Sequence, residues 1–136
     1  MKKYQLNSNE RDIMYVLWES NRPLTASEIV EAKKGLTTPT VQRLLKKLLE
    51  KNYVEVSEIV QVGKALARSY KPKKSIEEYL KGEVEYFFSI AGNKESLSRG
   101  IVASFFSGNS KKEDEKILSE LEKFVDKKKK EIRYEN

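Results

Sequence analysis

Hydrophobic positions recur along this chain in blocks of helical period, with one central block that alternates instead. Ile13, Met14, Val16, Leu17 and Trp18 form the first block, and Asn7 with Glu10 three residues on has the spacing of a capping box. The polar run Glu19–Pro23 ends that helix, and Thr25 with Glu28 opens a second, short one carrying Ile29 and Val30. Lys33-Lys34-Gly35-Leu36 reads as a turn, with glycine available for a positive φ. In the third block Val41, Leu44, Leu45, Leu48 and Leu49 share one side, while Arg43, Lys46, Lys47 and Glu50 point the other way. Thr37 or Thr38 can cap this helix, and Pro39 suits its first position, where no N–H donor is needed.

After Asn52 the period changes. Tyr53, Val54, Val56, Ile59, Val60 and Val62 are β-branched or aromatic and partly alternate with polar residues, which predicts a strand. Gly63-Lys64 can turn the chain, and Ala65–Tyr70 can return as a second strand that Pro72 stops. Two helices joined by a tight turn and followed by a hairpin read as a winged helix-turn-helix. The hairpin tip, Gln61 to Ala67, brings Lys64 and Arg68 to where they could reach phosphate or a minor groove.

Helical period then resumes. Ser75 with Glu78 is a further capping box ahead of Ile76, Tyr79, Leu80, Val84, Phe87, Phe88 and Ala91. Gly92-Asn93 breaks that helix, and Leu97, Ile101, Val102, Phe105 and Phe106 form the apolar face of a fifth, ending before Gly108-Asn109. Ser110 with Glu113 caps a sixth, whose stripe is Ile117, Leu118, Leu121, Phe124 and Val125. Beyond Asp126 the run KKKKE is expected to fray. Glu77-Glu78 and Glu113-Asp114-Glu115 fall in first turns, where carboxylates favour the helix dipole and no acid/base or metal role is needed.

Charge sharpens this picture. The 136 residues carry a net charge of +6, but residues 1–72 hold 13 Lys and Arg against 8 Asp and Glu, whereas residues 73–136 hold 14 against 13. A basic first half points to a polyanion partner and a nearly neutral helical second half to assembly or sensing. With no cysteine and no histidine, thiol and imidazole nucleophiles and Cys/His zinc sites are excluded. No glycine-rich phosphate loop is present, and Ser104 has no histidine to activate it, so neither an enzyme nor a bound cofactor or metal is expected. The N-terminus has no apolar run behind its lysines, and no stretch approaches the roughly 20 apolar residues of a membrane helix, which predicts a cytoplasmic chain with no membrane partner.

Several blocks resemble one family in order and spacing. Leu6–Glu10, Ile13-Met14, Leu17-Trp18, Thr25–Ile29, Thr40–Leu45, Lys51–Val54 and Tyr70–Pro72 are similar to the penicillinase repressor family, which includes the β-lactamase and methicillin-resistance repressors and the copper-responsive CopY-like repressors. The resemblance implies a homodimeric winged-helix repressor that binds a palindromic double-stranded DNA operator, with a C-terminal helical dimerisation segment. In the β-lactamase branch a sensor-linked protease cuts the repressor at an Asn-Phe bond within an apolar stretch. The corresponding stretch here is Ile101–Phe106, so the candidate bond is Ser104-Phe105, with serine in place of asparagine. The copper branch carries a C-terminal cysteine cluster, and this chain has none.

The expected fold is therefore mainly α with a small β-hairpin: a winged helix-turn-helix domain over residues 1–72 and a helical dimerisation segment over residues 73–136. Candidate DNA contacts are Thr38, Thr40, Gln42, Arg43, Lys46 and Lys47 on the third helix and Lys64 and Arg68 on the wing. Gln42 suits adenine and Arg43 guanine, while Lys46 and Lys47 lie further along and suit phosphate. Candidate dimer contacts are Tyr79, Phe87, Phe88, Ile101, Phe105, Leu118, Leu121 and Phe124, because about 60 residues of helix are too few to enclose a robust core alone. Two alternatives remain: a protein-interaction module using the winged helix as scaffold, and a regulator whose aromatic helices line a ligand pocket.

Overall fold

The computed structural model describes residues 6–135, which form six helices and a small antiparallel sheet. The elements are α1 (Ser8–Ser20), β1 (Leu24–Thr25), α2 (Ala26–Ala32), α3 (Thr38–Glu50), β2 (Val54–Val62), β3 (Ala65–Pro72), α4 (Ile76–Ala91), α5 (Lys94–Ser104) and α6 (Lys111–Tyr134). The chain divides into two compact units, Met1–Phe87 and Phe88–Asn136, so the boundary falls inside α4. Among the described residues no helix is long and apolar enough to cross a membrane.

In the first unit the local signals act as the sequence predicts. The Asn7 side chain accepts from the Glu10 amide and the Glu10 carboxylate accepts from the Asn7 amide, and Thr25 and Glu28 repeat the reciprocal pair at α2. α1 stops at Asn21, whose φ of 56° is the left-handed conformation asparagine tolerates. The α3 cap is Thr37, so Pro39 occupies the second helical position rather than the first, where its missing N–H is equally harmless. One core gathers the buried faces: Ile13, Met14 and Leu17 of α1, Ile29 of α2, and Val41, Leu44, Leu45 and Leu48 of α3. Burying each such side chain stabilises the fold by roughly 1.5–3 kcal/mol before chain entropy is counted.

The sheet runs β1-β3-β2, all antiparallel. β1 is only two residues, and its pairing of Leu24 with Tyr70 and Thr25 with Ser69 stitches the start of α2 to the hairpin. The polar break before it carried no strand signal, and a two-residue strand is too short to show alternation. A bulge between Val56 and Glu58 interrupts the hairpin, and Ser69 bridges it: its hydroxyl donates to the Glu58 carbonyl at 3.1 Å and accepts from the Glu58 amide at 3.2 Å.

Three expectations for the helical half change. Tyr79, assigned to a subunit contact, is buried in the core of the first unit, where its ring lies 5.5 Å from Trp18 and 6.2 Å from Tyr53. α5 ends at Ser104, so Phe105 is its C-cap and Phe106 lies in the following turn. α6 does not fray after Asp126 but continues to Tyr134, with Lys128 and Glu131 paired at 3.6 Å one turn apart.

Candidate nucleic-acid interface

α3 is strongly two-sided. Val41, Leu44, Leu45 and Leu48 are buried, so Gln42, Arg43, Lys46 and Lys47, which alternate with them at helical spacing, stand exposed on the opposite face. Thr38 is exposed in the first turn. Thr40 is half-buried, and its hydroxyl accepts a hydrogen bond from that of Thr37 at 3.0 Å, so it belongs first to the helix cap. Among the described residues no carboxylate pairs with Arg43, Lys46, Lys47, Lys64 or Arg68, in contrast to Lys51, Lys33 and Lys71, which meet Glu10, Asp12 and Glu55. Cationic side chains left unpaired on one exposed helix face create a positive potential there.

The wing begins at once. Asn52, in a left-handed conformation with φ 63°, reverses the chain after α3, and the Tyr53 amide donates to the Leu48 carbonyl at 2.9 Å, so β2 starts directly from the helix end. Only Gly63 and Lys64 separate β2 from β3, and Gly63 has φ 60°, as a glycine-first two-residue hairpin turn requires. Lys64 is therefore at the tip, and Arg68 is exposed on β3 opposite Ile59. Both belong to the same compact unit as α3.

Sequence reasoning overlooked the side chains that hold this arrangement. Glu10 is 1% exposed and its two carboxylate oxygens accept from Lys51 Nζ at 2.9 and 3.0 Å, tying the start of α1 to the end of α3. Glu10 showed itself only as a capping residue, and nothing local announces a partner 41 residues away. The hairpin exit is held similarly: the amides of Lys73 and Lys74 both donate to the Tyr53 carbonyl, and Lys74 Nζ lies 4.6 Å from the centre of the Tyr53 ring. Burial pushes the Tyr79 phenol up to about 12, with the Glu83 carboxylate adding to the shift, and burial raises Tyr53 in the same direction. At α2 the Glu28 carboxyl is held below its ordinary value, chiefly by the hydrogen bond from the Thr25 amide and further by Arg22.

The model of the penicillinase repressor family matches residues 6–127. This chain belongs to the penicillinase repressor family. As a member of that family it is a winged-helix transcriptional regulator and not an enzyme. Solved structures with a similar course include a PadR-like transcription factor from Bacteroides fragilis, 25% identical, with 67% of this chain and 87% of that one covered and a TM-score of 0.45. A MarR/EmrR family transcriptional regulator from Acinetobacter sp. ADP1 is 22% identical over 95% of this chain and 80% of its own, with a TM-score of 0.42. MepR, a transcription regulator of the Staphylococcus aureus multidrug efflux pump MepA, is 19% identical over 93% of this chain and 82% of its own, at 0.41. No curated protein matches in sequence. In this member of the penicillinase repressor family, Arg43, Lys46 and Lys47 of α3 and Lys64 and Arg68 of the wing are exposed.

In the second unit the residues assigned to dimerisation lie on open surfaces. None of its described residues is buried; Phe105, Leu118 and Phe124 are exposed, and Phe88, Ile101 and Leu121 are half-buried. Phe105 and Leu121, with Ile117, Lys116 and Glu120, line an open apolar groove of about 400 Å³. Phe87, the last residue of the first unit, is also exposed. Ser104 and Phe105, the candidate cleavage pair, sit at the exposed end of α5, where the Ser104 hydroxyl donates to the Ile101 carbonyl and Asn109 Nδ2 donates to the Phe105 carbonyl, each at 2.6 Å.

Proposed function

We propose that this chain is a homodimeric repressor that binds a palindromic duplex operator through two copies of α3 and the wing. The observation that carries the reading is the exposed face of α3: Gln42, Arg43, Lys46 and Lys47 stand together, unpaired among the described residues, above a wholly apolar buried face. Gln42 and Arg43, early in the helix, read base edges, while Thr38, Lys46, Lys47, Lys64 and Arg68 hold the backbone and set the register. One such helix reads only a few base pairs, and two-fold symmetry doubles the site. The apolar surface of the second unit supports that symmetry: Phe88, Ile101, Phe105, Leu118, Leu121 and Phe124, together with Phe87, gain cover from a second copy.

Release from the operator follows an inducing signal, and a sensor-linked protease cutting the exposed Ser104-Phe105 bond would part α6, with Phe105, Leu118, Leu121 and Phe124, from the DNA-binding unit, leaving Phe87, Phe88 and Ile101 too little paired surface to hold the dimer. The test of the repressor reading is selection of bound duplexes from a random-sequence pool, followed by titration of the selected duplex against a random one. A selected site with two-fold symmetry, bound at least about a thousandfold more tightly than random DNA, is expected. Equal affinity for both would leave only non-specific charge attraction.

A further inference from the structure

The buried pair at the junction of α1 and α3 has no part in that reading so far. Glu10 is the third residue of α1 and Lys51 is the C-cap of α3, so the pair joins the positive end of one helix dipole to the negative end of another. Each charge sits at the helix end that favours it. Buried ion pairs add little net stability compared with apolar groups of the same shape, so stability alone is a weak reason for a carboxylate that is 1% exposed. Position is a stronger one. Lys51 stands between the two DNA-facing elements: its amide donates to the Lys47 carbonyl at 3.0 Å, and two residues later Tyr53 leads into β2. Whatever anchors Lys51 therefore sets both where the reading helix stops and the direction in which the wing departs.

We propose that Glu10 is a positioning residue for DNA recognition, acting through Lys51 to hold α3 and the wing at the angle that lets both meet one duplex. This rests on the repressor reading above. Glu10 touches no DNA, and neither does the Lys51 ammonium, which is directed inward to the carboxylate.

The experiment compares the wild-type chain with Glu10→Gln/Lys51→Met, in which glutamine still accepts from the Asn7 amide and methionine keeps the aliphatic stem. Both are titrated against the duplex that the wild type selects from a random pool and against random duplex, over a series of salt concentrations. The expected result is a loss of about tenfold on the selected duplex, the scale of one lost base-pair contact, with random-duplex affinity and the salt slope unchanged. Affinity for the selected duplex within about twofold of wild type overturns the proposal, and so does a fall of about one in the salt slope, which would make Lys51 a direct phosphate contact. Lys51→Met alone, read at a temperature where circular dichroism shows it folded, is the second variant; the same loss is expected and wild-type affinity equally overturns. Failure of the repressor reading itself looks different, because the wild type would then select no duplex.

Discussion

The indole Nε1 of Trp18 donates to the carbonyl of Lys74 at 2.9 Å, fastening α1 to the segment that leaves the hairpin. The ring also packs against Tyr15 and Tyr79, so one side chain secures the hairpin exit and the start of α4. Trp18→Phe keeps an aromatic ring but removes the donor and leaves the Lys74 carbonyl short of a partner. We expect a loss of about 1–3 kcal/mol, seen as a lower urea midpoint at unchanged slope. An unshifted midpoint would show that the bond contributes nothing net.

Arg43 and Lys64 are assigned different work, and the difference is measurable. Arg43→Ala should cost roughly 1–3 kcal/mol on the selected duplex and relax preference at one base pair, while Lys64→Ala should weaken all sequences alike and lower the salt slope by about one. Filter or fluorescence titration at several salt concentrations separates them. Equal effects of both changes on selected and random DNA would refute the division of roles.

Phe124 is 71% exposed, so a charge there does not disturb the fold of a single chain. Phe124→Glu should therefore leave the circular dichroism unchanged while shifting the sedimentation mass towards one subunit. Operator affinity should drop by a factor of about 10² or more as the second half-site loses its tether. A variant that stays dimeric would place the subunit contact elsewhere on the helical unit.

Alkaline pH offers a readout of the first core. Tyr79 holds its proton in the folded chain up to about pH 12, whereas in the unfolded chain it ionises near its ordinary value of 10. Below the lower value both states are protonated and stability is independent of this group. As pH rises from about 10 towards 12 the unfolded state alone loses the proton, and stability falls. Urea midpoints of Tyr79→Phe should show less of this decline than those of wild type, and parallel curves would mean that the phenol is not protected.

Much of the local architecture was legible because short-range chemistry sets it. The reciprocal caps at Asn7/Glu10, Thr25/Glu28 and Ser110/Glu113 form as their spacing predicts, and the α3 stripe its period marks out is buried at Val41, Leu44, Leu45 and Leu48, with Leu49 at its edge half-buried. The exposed cationic face of that helix follows from the same pattern. Lys64 at the wing tip follows from Gly63, since a two-residue turn leaves few other places for it.

Relations between residues far apart in the chain came instead from packing. The Glu10–Lys51 pair, the Trp18 bond to Lys74, the two-residue β1 and the bulge bridged by Ser69 leave no periodic trace, because each depends on where separate elements come to rest. Tyr79 shows the same limit from the other side. Its place in an amphipathic stripe said that it would be buried, but a stripe cannot say against which surface, and the ring turned to Trp18 and Tyr53 of its own unit. Periodicity reports that a face avoids water, and only the packed chain determines what covers it.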